Sequence, residues 1–183
     1  LDLVKAHLNP GGVAAQWVPL YESHADTVKS EIATFLKVFP EGAAWANNMK
    51  GRGYDVVMIG QPAAAQIDIE ALHQRMKGPG YARVMASLRE VHISSTQDLF
   101  GGFGGRRSDL AAWLQDAQIN RDRNLRLQYL AGLGNSVGYY AREDIYVELT
   151  RDLEFPEAVF LADEAWKDAL SKAIGRPRAS AGK

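Results

Sequence analysis

The stretch that decides the fold runs from Leu8 to Gln16 and reads Leu-Asn-Pro-Gly-Gly-Val-Ala-Ala-Gln. It follows a helix-forming start, residues 1–7, and Pro10 cannot continue that helix because it has no amide hydrogen. The two glycines after Pro10 can adopt the positive φ of a tight turn. The run from Val13 to Ala15 carries no charge, which is typical of a strand buried on both faces of a parallel sheet. The stretch therefore predicts one helix-to-strand step of a doubly wound α/β fold.

Composition limits the classes of protein that fit. The 183 residues are 46% hydrophobic and 23% charged, as in an ordinary globular protein of one domain or of one domain with an appendage. A net charge of −1 argues against a nucleic-acid or membrane-surface partner. The absence of cysteine excludes disulfides, thiolate catalysis and Cys-ligated zinc. No apolar run approaches the roughly 18 residues of a membrane-spanning helix, so we expect no membrane segment in this chain.

A helix and a hairpin follow the opening strand. Ser23 is predicted to be the N-cap of this helix, with Asp26 in its first turn, and Pro40 to end it. Its apolar residues recur every three or four positions: Val28, Ile32, Phe35, Leu36 and Phe39. Two strands, 43–48 and 54–60, are joined by a connector with two glycines and predict an antiparallel hairpin. A parallel strand, a helix and a terminal hairpin are how a methyltransferase-like doubly wound sheet ends.

Four motifs in this order carry a resemblance to a known family. They are Asn9-Pro10-Gly11-Gly12-Val13, Gln16-Trp17, Val38-Phe39-Pro40 and Tyr54-Asp55-Val56-Val57-Met58-Ile59-Gly60-Gln61. Together they resemble the C-terminal half of a spermidine synthase, and more closely the bacterial spermidine-synthase-like proteins that are often fused to a membrane transporter domain.

A second stretch, Ile119 to Tyr129, extends the resemblance to about residue 131. The family segment reads roughly Ile-Asn-Thr-Asp-Asp, followed a few residues later by Leu-Glu-Tyr. The residues that match it are Ile119, Asn120, Asp122, Leu127 and Tyr129. Arg121, Arg123 and Gln128 depart from the pattern and make this copy basic where the family is usually acidic.

The resemblance implies a domain organisation. Residues 1–61 are expected to form the C-terminal part of a methyltransferase-like sheet, 62–175 an α-helical extension and 176–183 a flexible tail. Within the extension, apolar spacing predicts helices over 68–77, along Tyr81, Val84, Leu88 and Val91, over 97–100, after Ser108 as an N-cap, and in two pieces over 144–174.

The resemblance also implies an activity. Spermidine synthases transfer an aminopropyl group from decarboxylated S-adenosylmethionine, the family co-substrate, to a diamine such as putrescine. Their glycine-rich donor-binding turn and catalytic acids lie upstream of the Pro-Gly-Gly turn. We therefore expect this chain to be a C-terminal portion, inactive alone, with no catalytic residue and no bound cofactor of its own. The expected location is the cytoplasm, free or as the soluble domain of a membrane-anchored parent.

Four residues are candidates for binding a diamine or polyamine substrate. Gln16 is placed at the carboxyl end of the opening strand, the edge where open α/β sheets bind ligands. Trp17, Tyr21 and Tyr54 are expected to form aromatic walls for an alkyl-ammonium chain. The alternative is that Gln16 caps the strand edge and the three aromatic residues are ordinary packing.

Other chemistry-bearing patterns are weaker. Residues Gly101 to Gly105 superficially resemble a phosphate cradle, but without a preceding strand or a Lys-Ser/Thr pair they predict a loop. The four histidines lack metal-ligand spacing, so we expect no metal site. Arg121, Arg123 and Arg126, with Arg106 and Arg107, form a basic cluster. The cluster is a solvated face, a partner for Asp116 and Asp122, or a contact for a polyanion.

A function of another class is also open. A half sheet leaves one edge of strand 13–17 unpaired, and an uncovered edge favours pairing with another chain. On this hypothesis the chain is a non-catalytic assembly module, with a second copy of itself or a missing N-terminal half as its partner.

Overall fold

The fold is known from a computed structural model that describes residues 1–21, 23–49, 52–63, 66–137, 143–176 and 178. The chain groups into two compact units. Unit 1 comprises Leu1–Ala64 and Gly104–Leu153, and unit 2 comprises Ala65–Phe103 and Glu154–Lys183. The sequence placed residues 104–153 in a helical extension. They group with the sheet because Leu110, Ile145 and Leu149 are buried in its hydrophobic core.

Unit 1 is built on a four-stranded sheet. Its elements begin with α1 (Asp2–Ala6), β1 (Ala14–Pro19), α2 (Ala25–Val38), β2 (Ala43–Met49) and β3 (Arg52–Gly60). The strand order is β1-β3-β2-β5, where β5 is Phe103–Arg106. β3 lies antiparallel to both β1 and β2, so β1 and β2 run in the same direction. The mixed α/β class and the β2–β3 hairpin are confirmed; residues 50 and 51 of its connector lie outside the described residues.

The turn before β1 forms as the sequence predicts, but the strand is buried on one face only. Gly11 has a φ of +74°, and the Gly12 amide donates to the Asn9 carbonyl at 2.8 Å. In β1, Ala14 and Val18 are buried, whereas the side chain of Trp17 is 50% exposed. The prediction of burial on both faces is wrong because β1 is a terminal strand with an antiparallel neighbour.

Helix α2 supplies the main apolar face of unit 1. The predicted stripe is confirmed, since all five of its residues are buried. The N-cap is His24, not Ser23: the backbone is extended at His24, and its Nδ1 accepts a hydrogen bond from the Asp26 amide at 3.3 Å. Phe35 and Phe39 then lie 5.0 Å apart, ring centre to ring centre.

The rest of unit 1 contains β5, three helices and the loops between them. The helices are α6 (Arg107–Leu110), α7 (Arg126–Val137) and α8 (Glu143–Leu149). The loop predicted over 101–105 is wrong in its second half, because Gly104 has no side chain to keep β5 away from the Ala44 backbone. The Ser108 N-cap is also wrong. The N-cap is Arg106, two residues before Ser108, and the Arg106 backbone amide donates to Asp109 Oδ2 at 2.8 Å.

Unit 2 is mostly helical. Its elements are β4 (Ile67–Asp68), α3 (Ile69–Lys77), a 3₁₀ turn (Pro79–Tyr81), α4 (Ala82–Glu90), α5 (Thr96–Phe100), β6 (Phe160–Leu161) and α9 (Glu164–Ile174). β4 and β6 form a short parallel pair. Phe160 was predicted to lie on a helix but lies in β6, where its ring packs against Phe100 and Phe155.

Two further expectations for unit 2 concern the apolar stripe of α4 and the flexible tail over 176–183. The predicted apolar stripe of α4 is exposed at Val84 and Val91, and the buried residue of that helix is Met85. Of the predicted tail, Pro177 and residues 179–183 lie outside the described residues.

Candidate functional site

Three of the four predicted site residues come together on the surface of unit 1. The rings of Tyr21 and Tyr54 stack with their centres 4.3 Å apart, and the Trp17 ring centre lies 6.1 Å from that of Tyr21. The side chains of Trp17 and Tyr54 are each half exposed. Trp17 and Tyr54 thus keep exposed ring surface on either side of the partly buried Tyr21.

The strand pairing explains how residues so far apart in the chain meet. Trp17 lies near the end of β1, Tyr21 follows that strand, and Tyr54 lies near the start of β3. Pro19 pairs with Asp55, so the beginning of β3 lies beside the end of β1. The aromatic residues therefore lie around the carboxyl end of β1 and the start of β3.

Sequence reasoning missed a carboxylate at this position. Trp17 Nε1 donates a hydrogen bond to Asp55 Oδ2 at 2.8 Å. Asp55 is next to Tyr54 in the chain, but only the β1–β3 pairing, which no short-range pattern predicts, places it beside the end of β1. We call Trp17, Tyr21, Tyr54 and Asp55 the aromatic cluster. A ring face attracts an organic cation through its quadrupole, and the Asp55 carboxylate, which contacts the indole edge of Trp17, attracts it through charge.

Gln16, the fourth predicted residue, lies elsewhere. It is in the middle of β1 rather than at its end, because the strand continues to Pro19. Neighbouring side chains of a strand point to opposite faces. Gln16 Nε2 accordingly donates to Glu31 Oε1 of α2 at 2.7 Å, whereas Trp17 contacts Asp55 of β3. The predicted four residues thus form two sites.

Gln16 lines a polar cavity of about 490 Å³. The cavity brings Gln16 together with a distant stretch of the chain, since Asn120, Arg121 and Asp122 line it as well. Asn120 fixes one wall of the cavity through two hydrogen bonds. Its backbone amide donates to Thr34 Oγ1 at 2.8 Å, and its side-chain Oδ1 accepts from the Leu127 backbone amide at 3.0 Å.

Glu31 is the part-buried acid of this polar cavity. Burial raises the pKa of its carboxyl, and the hydrogen bond from Gln16 opposes that rise. A carboxyl whose pKa is higher in the folded than in the unfolded protein stabilises the fold at low pH. That contribution is lost as the pH rises through the folded pKa.

We expect Glu31→Gln to stabilise unit 1 more at pH 8 than at pH 4, because the neutral amide removes the cost of burying a charge. Thermal unfolding at the two pH values measures the difference. Glu90→Gln, the same chemical change at an exposed position of α4, is the control. A larger stabilisation at pH 4 than at pH 8 would contradict the assignment of Glu31 as a buried acid.

The basic cluster is largely exposed, and of its three alternative interpretations the pairing with Asp116 is not found. Asp116 pairs with Lys29, whose Nζ lies 2.7 Å from Asp116 Oδ1, rather than with an arginine of the cluster. Arg106 Nε lies 3.3 Å from Asp109 Oδ2. Arg121 and Arg123 are exposed and agree with the interpretation of a solvated face.

No helix in the ranges that the structure describes is both long and apolar enough to span a membrane. Within the same ranges, no group of three His, Asp or Glu side chains is arranged to hold a metal ion.

Comparison of the chain with protein-family models, curated proteins and solved structures found no match.

Proposed function

We propose that this chain is the C-terminal portion of a spermidine-synthase-like aminopropyltransferase and that the aromatic cluster binds its amine acceptor. The observation that carries the proposal is the position of Trp17, Tyr21, Tyr54 and Asp55 at the carboxyl end of β1. A diamine such as putrescine has two ammonium groups joined by an alkyl chain. The ring faces can contact the alkyl chain and one ammonium group of the diamine. The Asp55 carboxylate can pair with the positive charge of an ammonium group.

The order of the strands supports the first half of this proposal. β3 is inserted antiparallel between β1 and β2, which run in the same direction. The sequence patterns predict this arrangement for the end of a methyltransferase-like sheet, although β5 continues the sheet beyond β2. In our proposal the sheet continues from the outer edge of β1 with the parallel strands that bind decarboxylated S-adenosylmethionine.

The proposal divides the chemistry between two parts of an enzyme. In aminopropyl transfer, the acceptor nitrogen attacks the carbon next to the sulfonium, the carbon–sulfur bond breaks and the nitrogen loses a proton. This chain would hold and orient the amine. The upstream part would bind the donor and accept the proton, so we expect no transfer activity from these 183 residues alone.

One observation favours the second candidate function, an assembly module. β1 is a terminal strand, and among the described residues no strand pairs with its outer edge. Val13, Trp17 and Ile59 are large apolar residues exposed on or beside this part of the sheet. An edge of this kind favours pairing with another chain. Light scattering separates the two functions, because a strict monomer that binds diamines would count against the assembly module.

We expect putrescine to bind to the aromatic cluster and Asp55→Asn or Trp17→Ala to weaken binding about two- to fivefold each, since exposed cation–π and ion pairs are modest. Isothermal titration calorimetry measures the affinity, and the indole N–H signal of Trp17 in an NMR spectrum reports where the ligand binds.

Unit 2 offers a matched control. Trp166 Nε1 donates to Glu70 Oε2 at 2.8 Å, the same contact as between Trp17 and Asp55, but its aromatic neighbour is a histidine. Glu70→Gln and Trp166→Ala should leave putrescine binding unchanged. Equal binding of butanol, or equal weakening by the control variants, would refute the amine site. Tight binding of decarboxylated S-adenosylmethionine would refute the division of the enzyme.

A further inference from the structure

A second concave surface of unit 1 is an apolar groove between α2 and the segment that follows α6. It encloses about 440 Å³, within the range of small-molecule sites. Its floor consists of aliphatic side chains from these two stretches: Ala33, Leu36, Ala111, Leu114, Ala117 and Ile119. Three of the six are alanines, and their small side chains leave room for a ligand.

The charged residues of the groove are all positive. Lys37 and Arg107 line it, and its described lining contains no Asp or Glu. Both residues are exposed. No ion pair within the described part of the chain involves either of them. An apolar floor with two cations and no anion is complementary to a ligand that carries an apolar group and a negative charge.

Contacts on the flank of the groove hold its two walls together. Ser30 Oγ of α2 donates to the Gln118 carbonyl at 2.6 Å, and Lys29 Nζ contacts Asp116 at 2.7 Å. These bonds fix the segment after α6 against the helix. The groove is therefore preformed, and a ligand that enters it does not have to order its walls.

We propose that this groove binds a small anionic amphiphile, a carboxylate joined to an alkyl chain of medium length. The chain would lie on the alanines and leucines of the floor, and the carboxylate would contact Lys37 and Arg107. The guanidinium of Arg107 can receive a carboxylate through two parallel hydrogen bonds, and the flexible Lys37 supplies a second charge. The site is independent of the aromatic cluster, whose proposed ligand is a cation.

Octanoate is the probe for this site. We expect calorimetry to show binding of octanoate, with acetate, octanol and octylamine each at least tenfold weaker because each lacks the chain or the negative charge. Lys37→Glu and Arg107→Glu should each weaken octanoate about fivefold or more. Ala111→Trp should abolish binding by filling the groove.

Lys37→Glu and Ala111→Trp each have a matched control. Lys77→Glu changes a lysine in the last turn of α3, as Lys37 is in the last turn of α2, and Ala112→Trp places the same ring one residue away from the groove. Both controls should bind octanoate like the unchanged chain. Octanol binding as tightly as octanoate would overturn the role of the two cations. The proposed location of the site would be overturned if both controls lost octanoate binding, or if Ala111→Trp still bound octanoate as tightly as the unchanged chain.

Discussion

Phe35→Ala is expected to reduce the free energy of unfolding of unit 1 by about 3–5 kcal/mol, the usual cost of removing a buried phenylalanine ring. Phe35 has no exposed surface and lies in the centre of the apolar face of α2. Its ring packs 5.0 Å from that of Phe39 and also lies close to Gly42 and Gly60. The truncation therefore leaves a cavity where helix and sheet meet, and backbone lines part of it.

Urea unfolding followed by tryptophan fluorescence measures this loss, because Trp17, Trp45 and Trp113 all belong to unit 1. Val13→Ala is the control in the same unit. Half of the Val13 side chain is exposed, so its truncation should cost no more than about 0.5 kcal/mol. Equal losses in the two variants would contradict the position of the core between α2 and the sheet.

Helix α2 and the β2–β3 hairpin could be predicted because each is determined by a short-range pattern. The apolar residues of α2 repeat with the helical period, and no other element has to be known to see which face they form. The hairpin follows from two apolar runs with glycines between them. Both elements are present at nearly the predicted bounds.

Burial depends on which elements become neighbours, and the sequence patterns do not contain that information. The uncharged sequence of β1 is typical of a strand in the interior of a sheet. Among the described residues, however, β1 has a single strand neighbour, and one of its faces is exposed. The apolar stripe of α4 has the right period but remains exposed at Val84 and Val91. Strand β5 could not be predicted, because its glycines give no apolar signal. Its position depends on the close approach of Gly104 to Ala44, and these residues are far apart in the chain.

The candidate site shows the same division between local and long-range information. The type of residue was predictable, since aromatic rings at a strand end suggest cation binding. The residues that these side chains contact were not predictable. Asp55 reaches Trp17 only through the β1–β3 register, and Gln16 faces Glu31 because it lies one residue before Trp17 in a strand. A shift of one residue in that register would exchange the two faces.

Gly60→Ala, the addition of a single methyl group, is expected to destabilise unit 1 by about 1–3 kcal/mol, the usual cost of overpacking. A Cβ on Gly60 would lie 2.6 Å from Phe39 Cγ and 2.7 Å from Phe39 Cβ, closer than carbon atoms can approach. These atoms cannot swing away, because they are at the base of a fully buried side chain. Helix α2 would have to move off β3, which would loosen the contacts on which the sheet depends.

Gly132→Ala is the same chemical change, but we expect it to have the opposite effect on stability. Gly132 lies in α7, and a Cβ there would have no neighbour within 4 Å. Alanine should then stabilise the chain by about 0.4–1 kcal/mol, because it restricts the unfolded state more than glycine does. Urea midpoints of the two variants should move in opposite directions. If Gly60→Ala also stabilised the chain, α2 would not pack closely on β3, and the terminal part of the sheet would be arranged differently from the structure described above.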